Sequence, residues 1–239
     1  MITWQNAAAE LFGIELSPWQ LEQFEKYLFT LLEWNEKFNL TAIREPEEVR
    51  IRHFLDSLSV TCGWSRTKPP ESLADIGTGA GFPGIPLKII WPELKLSLVD
   101  SVGKKINFCR LVLDTLQLHN AETMTIRAEE LGQDPEHREK YQLVTARAVA
   151  PMPVLLEYCL PLAQPGGRIV LQKGTDALEE AERCRPIMRL LGGDLKEVLQ
   201  ITLPGTEGTR YLVIIDKNTH TPKAYPRRTG VPSKTPLTV

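Results

Sequence analysis

An α/β fold is predicted: a mostly parallel seven-stranded sheet with a C-terminal antiparallel hairpin and an N-terminal helical addition. Three observations predict it. From about Glu71 onward, short β-rich apolar runs alternate with helical stretches, the pattern of successive βαβ units. The first of those runs leads directly into "GTGAGFPG", Gly77 to Gly84, with four glycines in eight residues. Near the end, "GDLKEVLQITL" and "RYLVIIDK" flank "PGTEG", a link too short for a crossover helix, so they pair as an antiparallel hairpin.

Taken in order, "SPWQLEQFEKYLFTLLEWNEKFNL" begins as a helix should, with Ser17 as cap, Pro18 at the first helical position and Gln20 completing a capping box. Leu21, Phe24, Leu28, Leu31 and Leu32 then form one apolar stripe. A second helix is expected from near Pro46 through "EEVRIRHFLDSLSV", with Val49, Phe54 and Leu58 on one side. Both stripes need a partner, so residues 1–65 are read as an addition packed on the core that occupies 66–217.

In that core the strands are "SLADI", "KLSLVD", "ETMTIR", "YQLVTAR" and "GRIVLQK", followed by the hairpin. The helices fall at about Gly84 to Trp91, Lys104 to Leu118, Pro151 to Leu162 and Asp176 to Leu191, the last interrupted by Pro186. Residues 218–239 form a Pro-rich tail too poor in apolar residues to fold alone, expected to lie along the body or stay mobile. From Lys217 on, Lys217, Lys223, Arg227, Arg228 and Lys234 face no carboxylate side chain within the tail, which suits a polyanion.

Composition narrows the class. The 239 residues are 42% hydrophobic and 24% charged, ordinary for a soluble globular protein, and the net charge of −2 rules out affinity from bulk charge. No stretch approaches the roughly 20 apolar residues of a membrane span, and "MITWQNAAAE" lacks the basic start and apolar run of a signal peptide. A cytoplasmic protein without a membrane partner is therefore expected. Cys62, Cys109, Cys159 and Cys184 lie far apart with no CxxC or His/Cys cluster, so neither a metal site nor a disulfide framework is expected.

The glycines mark a ligand site. A strand ending at Ile76 and a helix starting soon after Phe82 make a tight turn at the carboxyl edge of a parallel sheet, where open α/β folds bind ligands. Gly77, Gly79 and Gly81 supply unusual backbone angles and remove Cβ atoms where a cofactor lies against the main chain. Gly79, Gly81 and Gly84 also spell the dinucleotide pattern GxGxxG, with Asp100 about 20 residues on. Two features shift the balance away from a dinucleotide. Asp75, just before the turn, would repel a pyrophosphate yet accept hydrogen bonds from an amino-acid ammonium. The terminal hairpin, moreover, does not continue a second mononucleotide half. Together they suit S-adenosylmethionine, with Asp100 on its ribose diol. An NAD(P)-dependent oxidoreductase and a non-catalytic nucleotide-sensing RNA-binding factor remain the alternatives.

"WNEKFNLTAI", "RHFLDSL", "LADIGTGAGFPGIPLKI", "VDSVGKK", "RAEEL", "TARAVA" and "YPRRTGVPSKTPL" together resemble the bacterial small-subunit (16S) ribosomal RNA guanine-N7 methyltransferase family, also called glucose-inhibited division protein B. The resemblance runs from Trp34 to Leu237. It implies a class I (Rossmann-like) methyltransferase fold with an N-terminal helical addition, S-adenosylmethionine as cofactor and small-subunit ribosomal RNA, free or in a subunit, as partner. It places cofactor binding at Gly77, Gly79 and Phe82 of the loop, at Asp100 and Ser101, at Ala128 and Glu129, and at Arg147.

Guanine N7 carries a lone pair and no proton, so no general base is required and no catalytic residue is assigned. The chain also lacks the Asn/Asp-Pro-Pro-aromatic loop that holds exocyclic amino groups; "ARAVAP" occupies its position. The thiols fit poorly as the cysteine nucleophile needed to methylate a pyrimidine carbon, because Cys62 precedes the loop and Cys109 and Cys159 sit within apolar helices. For RNA the candidates are Arg147 and Lys173 past strand ends, Asn39, Arg52 and His53 from the helical addition, and Arg227 and Arg228 in the tail. A monomer is expected.

Overall fold

Hydroxyl caps start the first two helices. In the computed structural model, which describes residues 3–65, 68–147 and 150–238, the Thr3 hydroxyl accepts from the Asn6 amide and opens α1 (Trp4–Phe12). Ser17 opens α2 (Pro18–Phe38) through the expected reciprocal pair: the Gln20 amide donates to Ser17 Oγ at 3.2 Å and the Ser17 amide to Gln20 Oε1 at 2.9 Å. The periodicity does not foresee α1, because its buried face is built largely from the small Ala7 and Ala8 between Trp4 and Phe12.

The second expected helix is present but changes pitch three times. α3 (Pro46–Val49) passes into a π-helical stretch (Arg50–Leu55), then α4 (Asp56–Leu58) and a 3₁₀ turn (Ser59–Gly63). The wider π turn buries the consecutive His53, Phe54 and Leu55, which no 3.6-residue stripe would group.

The sheet follows in strict alternation, β1 (Ser72–Ile76), α5 (Gly84–Ile90), β2 (Lys95–Asp100), α6 (Gly103–Thr115), β3 (Ala121–Thr125), α7 (Ala128–Leu131), β4 (Tyr141–Arg147), α8 (Met152–Cys159) and β5 (Ala163–Lys173). α9 (Ala177–Arg183) and α10 (Arg185–Leu190) then lead to β6 (Gly193–Ile201), β7 (Arg210–Lys217) and the short α11 (Val231–Lys234). The single helix expected over Asp176–Leu191 is broken at Cys184, just ahead of Pro186, whose missing N–H cannot continue the ladder. β5 begins at Ala163, before the expected Gly167.

The strand order is β3-β2-β1-β4-β5-β7-β6, and β7 alone runs antiparallel, inserted between β5 and β6. β1 therefore lies at the topological switch point, with β2 on one side and β4 on the other. One face of the sheet carries α1, α2, the π stretch, α5 and α6, through Trp4, Phe24, Tyr27, Phe54, Phe82 and Phe108. The opposite face carries α7 to α10, and Tyr225 and Leu237 of the tail pack on that second cluster. The tail thus lies along the body. Among the described residues no helix is long and apolar enough to cross a membrane. Arg66, the expected first residue of the core, lies outside the described residues, as do Ala148 and Val149 of "ARAVAP".

Candidate active site

Asp75 organises the glycine loop from below. It is fully buried, and its Oδ2 accepts from Thr78 Oγ1 at 2.6 Å and from the Gly84 amide at 2.9 Å, closing the loop onto the strand. Its Oδ1 has no partner. Burial pushes the carboxyl up to about 6, against the pull of the Thr78 and Gly84 hydrogen bonds and the charge of Arg147. Gly79 and Gly81 show two different needs for glycine. Gly79, at φ 60°, has open space where a Cβ would stand, so its requirement is purely one of backbone angle. At Gly81, φ 93°, a Cβ would lie 2.5 Å from Ile85 Cδ1 and 2.7 Å from Tyr27 Oη. Tyr27, on α2, donates its hydroxyl hydrogen bond to the Ala80 carbonyl, so the helical addition clamps the loop directly.

Asp100 ties the loops after β1 and β2 together. Its Oδ2 accepts from the Gly79 amide at 3.1 Å, its Oδ1 accepts from the Val102 amide at 2.9 Å, and the Lys105 ammonium lies 3.6 Å away. Each oxygen keeps lone-pair capacity for a further donor. A cavity of roughly 320 Å³ opens beside it, bordered by Gly77, Asp100, Ser101, Ala128, Glu129 and Tyr158. Five of the expected cofactor positions are therefore brought to one wall.

Gly79, Phe82 and Arg147 do not border that cavity. Phe82 is instead a joint between the helical addition and the sheet. Its ring stacks 4.5 Å from His53 and 5.2 Å from Tyr27, with the Arg147 guanidinium 5.1 Å from its centroid. A buried aromatic here gains more from core contacts than from an exposed loop. Arg147 faces a second cavity, also roughly 320 Å³, bordered by Arg52, His53, Asp56, Arg147, Lys173 and Arg210. It pairs with Asp56 at 3.0 Å and donates to the Arg52 carbonyl and to His53 Nδ1, each at 3.3 Å. Burial and the Arg147 charge lower His53 to about 3, so the ring is neutral, and its Nε2 is 2.8 Å from Thr41 Oγ1. Lys173 is held by Glu180 at 2.9 Å.

Asp56, Arg210 and Tyr27 escape the sequence reading. Asp56 is displaced from any regular stripe by the π turn before it. Arg210 had a usable signal: as the first residue of an antiparallel β7, it must start at the edge where the parallel strands end. Three expected RNA positions lie elsewhere. Asn39 caps α2 in a left-handed conformation and accepts from Arg44 at 3.2 Å, away from both cavities. Arg227 does not present a free guanidinium, since it grips the buried Glu157 carboxylate, with Nε 2.9 Å from Oε1 and Nη2 2.7 Å from Oε2. Arg228 borders a third recess with Glu129, Glu130 and Gln133. Lys217, among the expected tail cations, is buried and donates to the Leu160 and Leu191 carbonyls.

Residues 20–205 match the model of the GidB family, described as rRNA small subunit methyltransferase G. The chain is 48% identical over 229 residues to the ribosomal RNA small subunit methyltransferase G of Roseiflexus sp. (strain RS-1), covering 96% of this chain and 97% of that relative. It is 46% identical over 227 residues to the protein of the same name from Acetivibrio thermocellus, covering 95% and 93%. Among solved structures, an O-methyltransferase from Bacillus cereus in complex with SAH is similar in fold, with a TM-score of 0.58 at 16% identity over 89% of this chain and 96% of that one.

Proposed function

Because this chain belongs to the rRNA small subunit methyltransferase G family, we propose that it methylates guanine N7 at one position of small-subunit ribosomal RNA. Its cofactor is S-adenosylmethionine, which supplies an activated methyl group on a sulfonium. The observation that carries the reading is the pair of unlike cavities flanking the β1 loop, one walled by Asp100 and Glu129 and the other by Arg52, Arg147, Lys173 and Arg210.

The residues present fit the cofactor. The unpartnered Asp75 Oδ1 offers a buried acceptor of the kind an ammonium satisfies, and Asp100 and Glu129 suit hydroxyl and amine donors. A dinucleotide fits poorly, because its pyrophosphate would meet these carboxylates without a compensating cluster of arginines.

On the other side, Arg52 and Arg210 are the more exposed cations, held only by long pairs to Glu48 at 3.7 Å and Asp56 at 4.0 Å, and are placed to meet phosphates, while Arg147 and Lys173 are closely paired and shape the cavity wall. Asp56 is the one carboxylate among the described residues that border this cavity, and it is the group best placed to offset the positive charge that develops on a purine alkylated at N7. Holding nucleophile and methyl in line is then the enzyme's main task. Both cavities are complete within one chain, which supports a monomer as the working unit. A ribosomal RNA substrate supports a cytoplasmic site of action.

The test is transfer of labelled methyl from S-adenosylmethionine to unmodified small-subunit ribosomal RNA, followed by borohydride and aniline, which cut at N7-methylguanosine. Label with a single cut is expected. Label without a cut would keep the methyltransferase and discard guanine N7.

A further inference from the structure

The tail lies far from the basic cavity and against the cofactor wall. β7 ends at Lys217 on the amino edge of the sheet, and the chain then climbs back along the second face. On the way it is fastened by Arg138, whose guanidinium donates to the Thr221 and Tyr225 carbonyls at 2.8 and 2.7 Å, and by Gln133, which donates to the Pro226 carbonyl at 2.6 Å. Pro226 presses on the end of α7 so closely that a Cβ on Gly132 would sit 2.8 Å from its Cγ.

Contacts from the tail reach α7 and α8, which carry Glu129 and Tyr158 of the cavity wall. The Gly230 amide donates to Glu129 Oε1 at 2.9 Å, and the Thr229 hydroxyl donates to Glu130 at 3.1 Å. Tyr158 borders the cavity with Glu129, and burial together with the Glu129 charge raises its hydroxyl above its ordinary value. Beside Tyr158 on α8, Glu157 is wholly buried and takes the Arg227 amide at 2.7 Å as well as its guanidinium, which also donates to the Thr235 carbonyl at 2.9 Å. A forked ion pair whose carboxylate is fully buried fixes orientation more than it adds net stability.

We propose that the segment from Tyr225 to Thr235 is a positioning clamp for the cofactor cavity: Arg227, locked on Glu157, sets the Gly230 amide so that Glu129 is held on the cavity wall. The inference rests on that cavity being the S-adenosylmethionine site. The tail then acts on cofactor affinity, and Arg227, which suggested an RNA contact, serves the interior instead.

Isothermal titration of S-adenosylhomocysteine into the full chain tests this, beside the KM for ribosomal RNA. Gly230→Ala is the mildest variant, since the new Cβ meets nothing within 4 Å and disturbs only a left-handed backbone at φ 82°. Arg227→Met removes the fork, and Arg227→Lys keeps the charge without it. The expected result is a Kd for S-adenosylhomocysteine raised about five- to tenfold by Gly230→Ala. Arg227→Met should weaken binding further, Arg227→Lys should fall between wild type and Arg227→Met, and the KM for RNA should not move. An unchanged Kd in Gly230→Ala overturns the proposal even if Arg227→Met fails to fold. A change confined to the KM for RNA also overturns it and returns Arg227 to a phosphate contact. Wild-type protein that binds no S-adenosylhomocysteine would defeat the cofactor reading beneath it.

Discussion

Asp75 and His53 carry opposite pH signatures a short distance apart. For Asp75 the folded value of about 6 lies above the ordinary 3.8, so the folded chain holds the extra proton, and this residue's contribution to stability declines as pH rises through that window. For His53 the folded value of about 3 lies below 6.5, so its contribution is full above 6.5 and is lost as pH falls toward 3. Asp75→Asn is expected to raise the melting temperature of the ligand-free protein at pH 7. The same change should weaken S-adenosylhomocysteine binding by at least roughly tenfold, the worth of a charge-assisted hydrogen bond. In the wild type, binding should fall off below pH 6 as the carboxyl protonates. A titration series across pH 5 to 8 checks both, and a flat wild-type profile would separate Asp75 from the ligand. Arg147→Met should let His53 titrate closer to its ordinary value, which NMR of the imidazole reads directly. The same variant leaves Asp56 with only the longer pair to Arg210 at 4.0 Å and should cost about 2–4 kcal/mol in urea denaturation.

Among the elements, the glycine loop and the helical addition were legible in the sequence to different degrees. The loop could be placed because a strand end, four glycines and a proline at the helix start all point to one turn. What could not be read is that α2 reaches it. The Tyr27 hydroxyl is one position on a stripe otherwise indistinguishable from core, and the π turn removes the period by which His53 and Asp56 would be assigned a face. The packing of Phe82 escaped the sequence for a related reason: a motif gives a residue's neighbourhood, while the direction of its ring is set by helices over fifty positions upstream in the case of Tyr27. Two loop variants separate these roles. Gly81→Ala collides with Ile85 and Tyr27 and should destabilise the fold by about 2–4 kcal/mol. Gly79→Ala meets only the Gly77 carbonyl at 3.9 Å and should cost about 1 kcal/mol, the strain of its left-handed angle alone. Equal destabilisation by the two in chemical denaturation would contradict the clamp described for α2.

At the scale of the whole molecule, a net charge of −2 leaves RNA affinity to a local patch, for which the Arg52 and Arg210 edge is proposed. Arg210→Ala is expected to reduce the salt slope of RNA binding by about one phosphate contact without altering cofactor affinity. The chain's alternation made the parallel sheet legible, and the short "PGTEG" link made the hairpin legible. The course of the tail was not, because its cations advertise a polyanion while their partners, Glu157 and Glu139, lie in distant parts of the sequence. The reversed direction of β7 also bears on the order of synthesis. Residues 225–235 are translated after every strand of the sheet, yet they complete the support of a wall formed by α7 and α8. A chain still being translated can assemble β1 to β5 and the glycine loop while Glu129 waits for Gly230. On the clamp proposed above, full cofactor affinity is expected only once residues 225–235 have docked on α7 and α8.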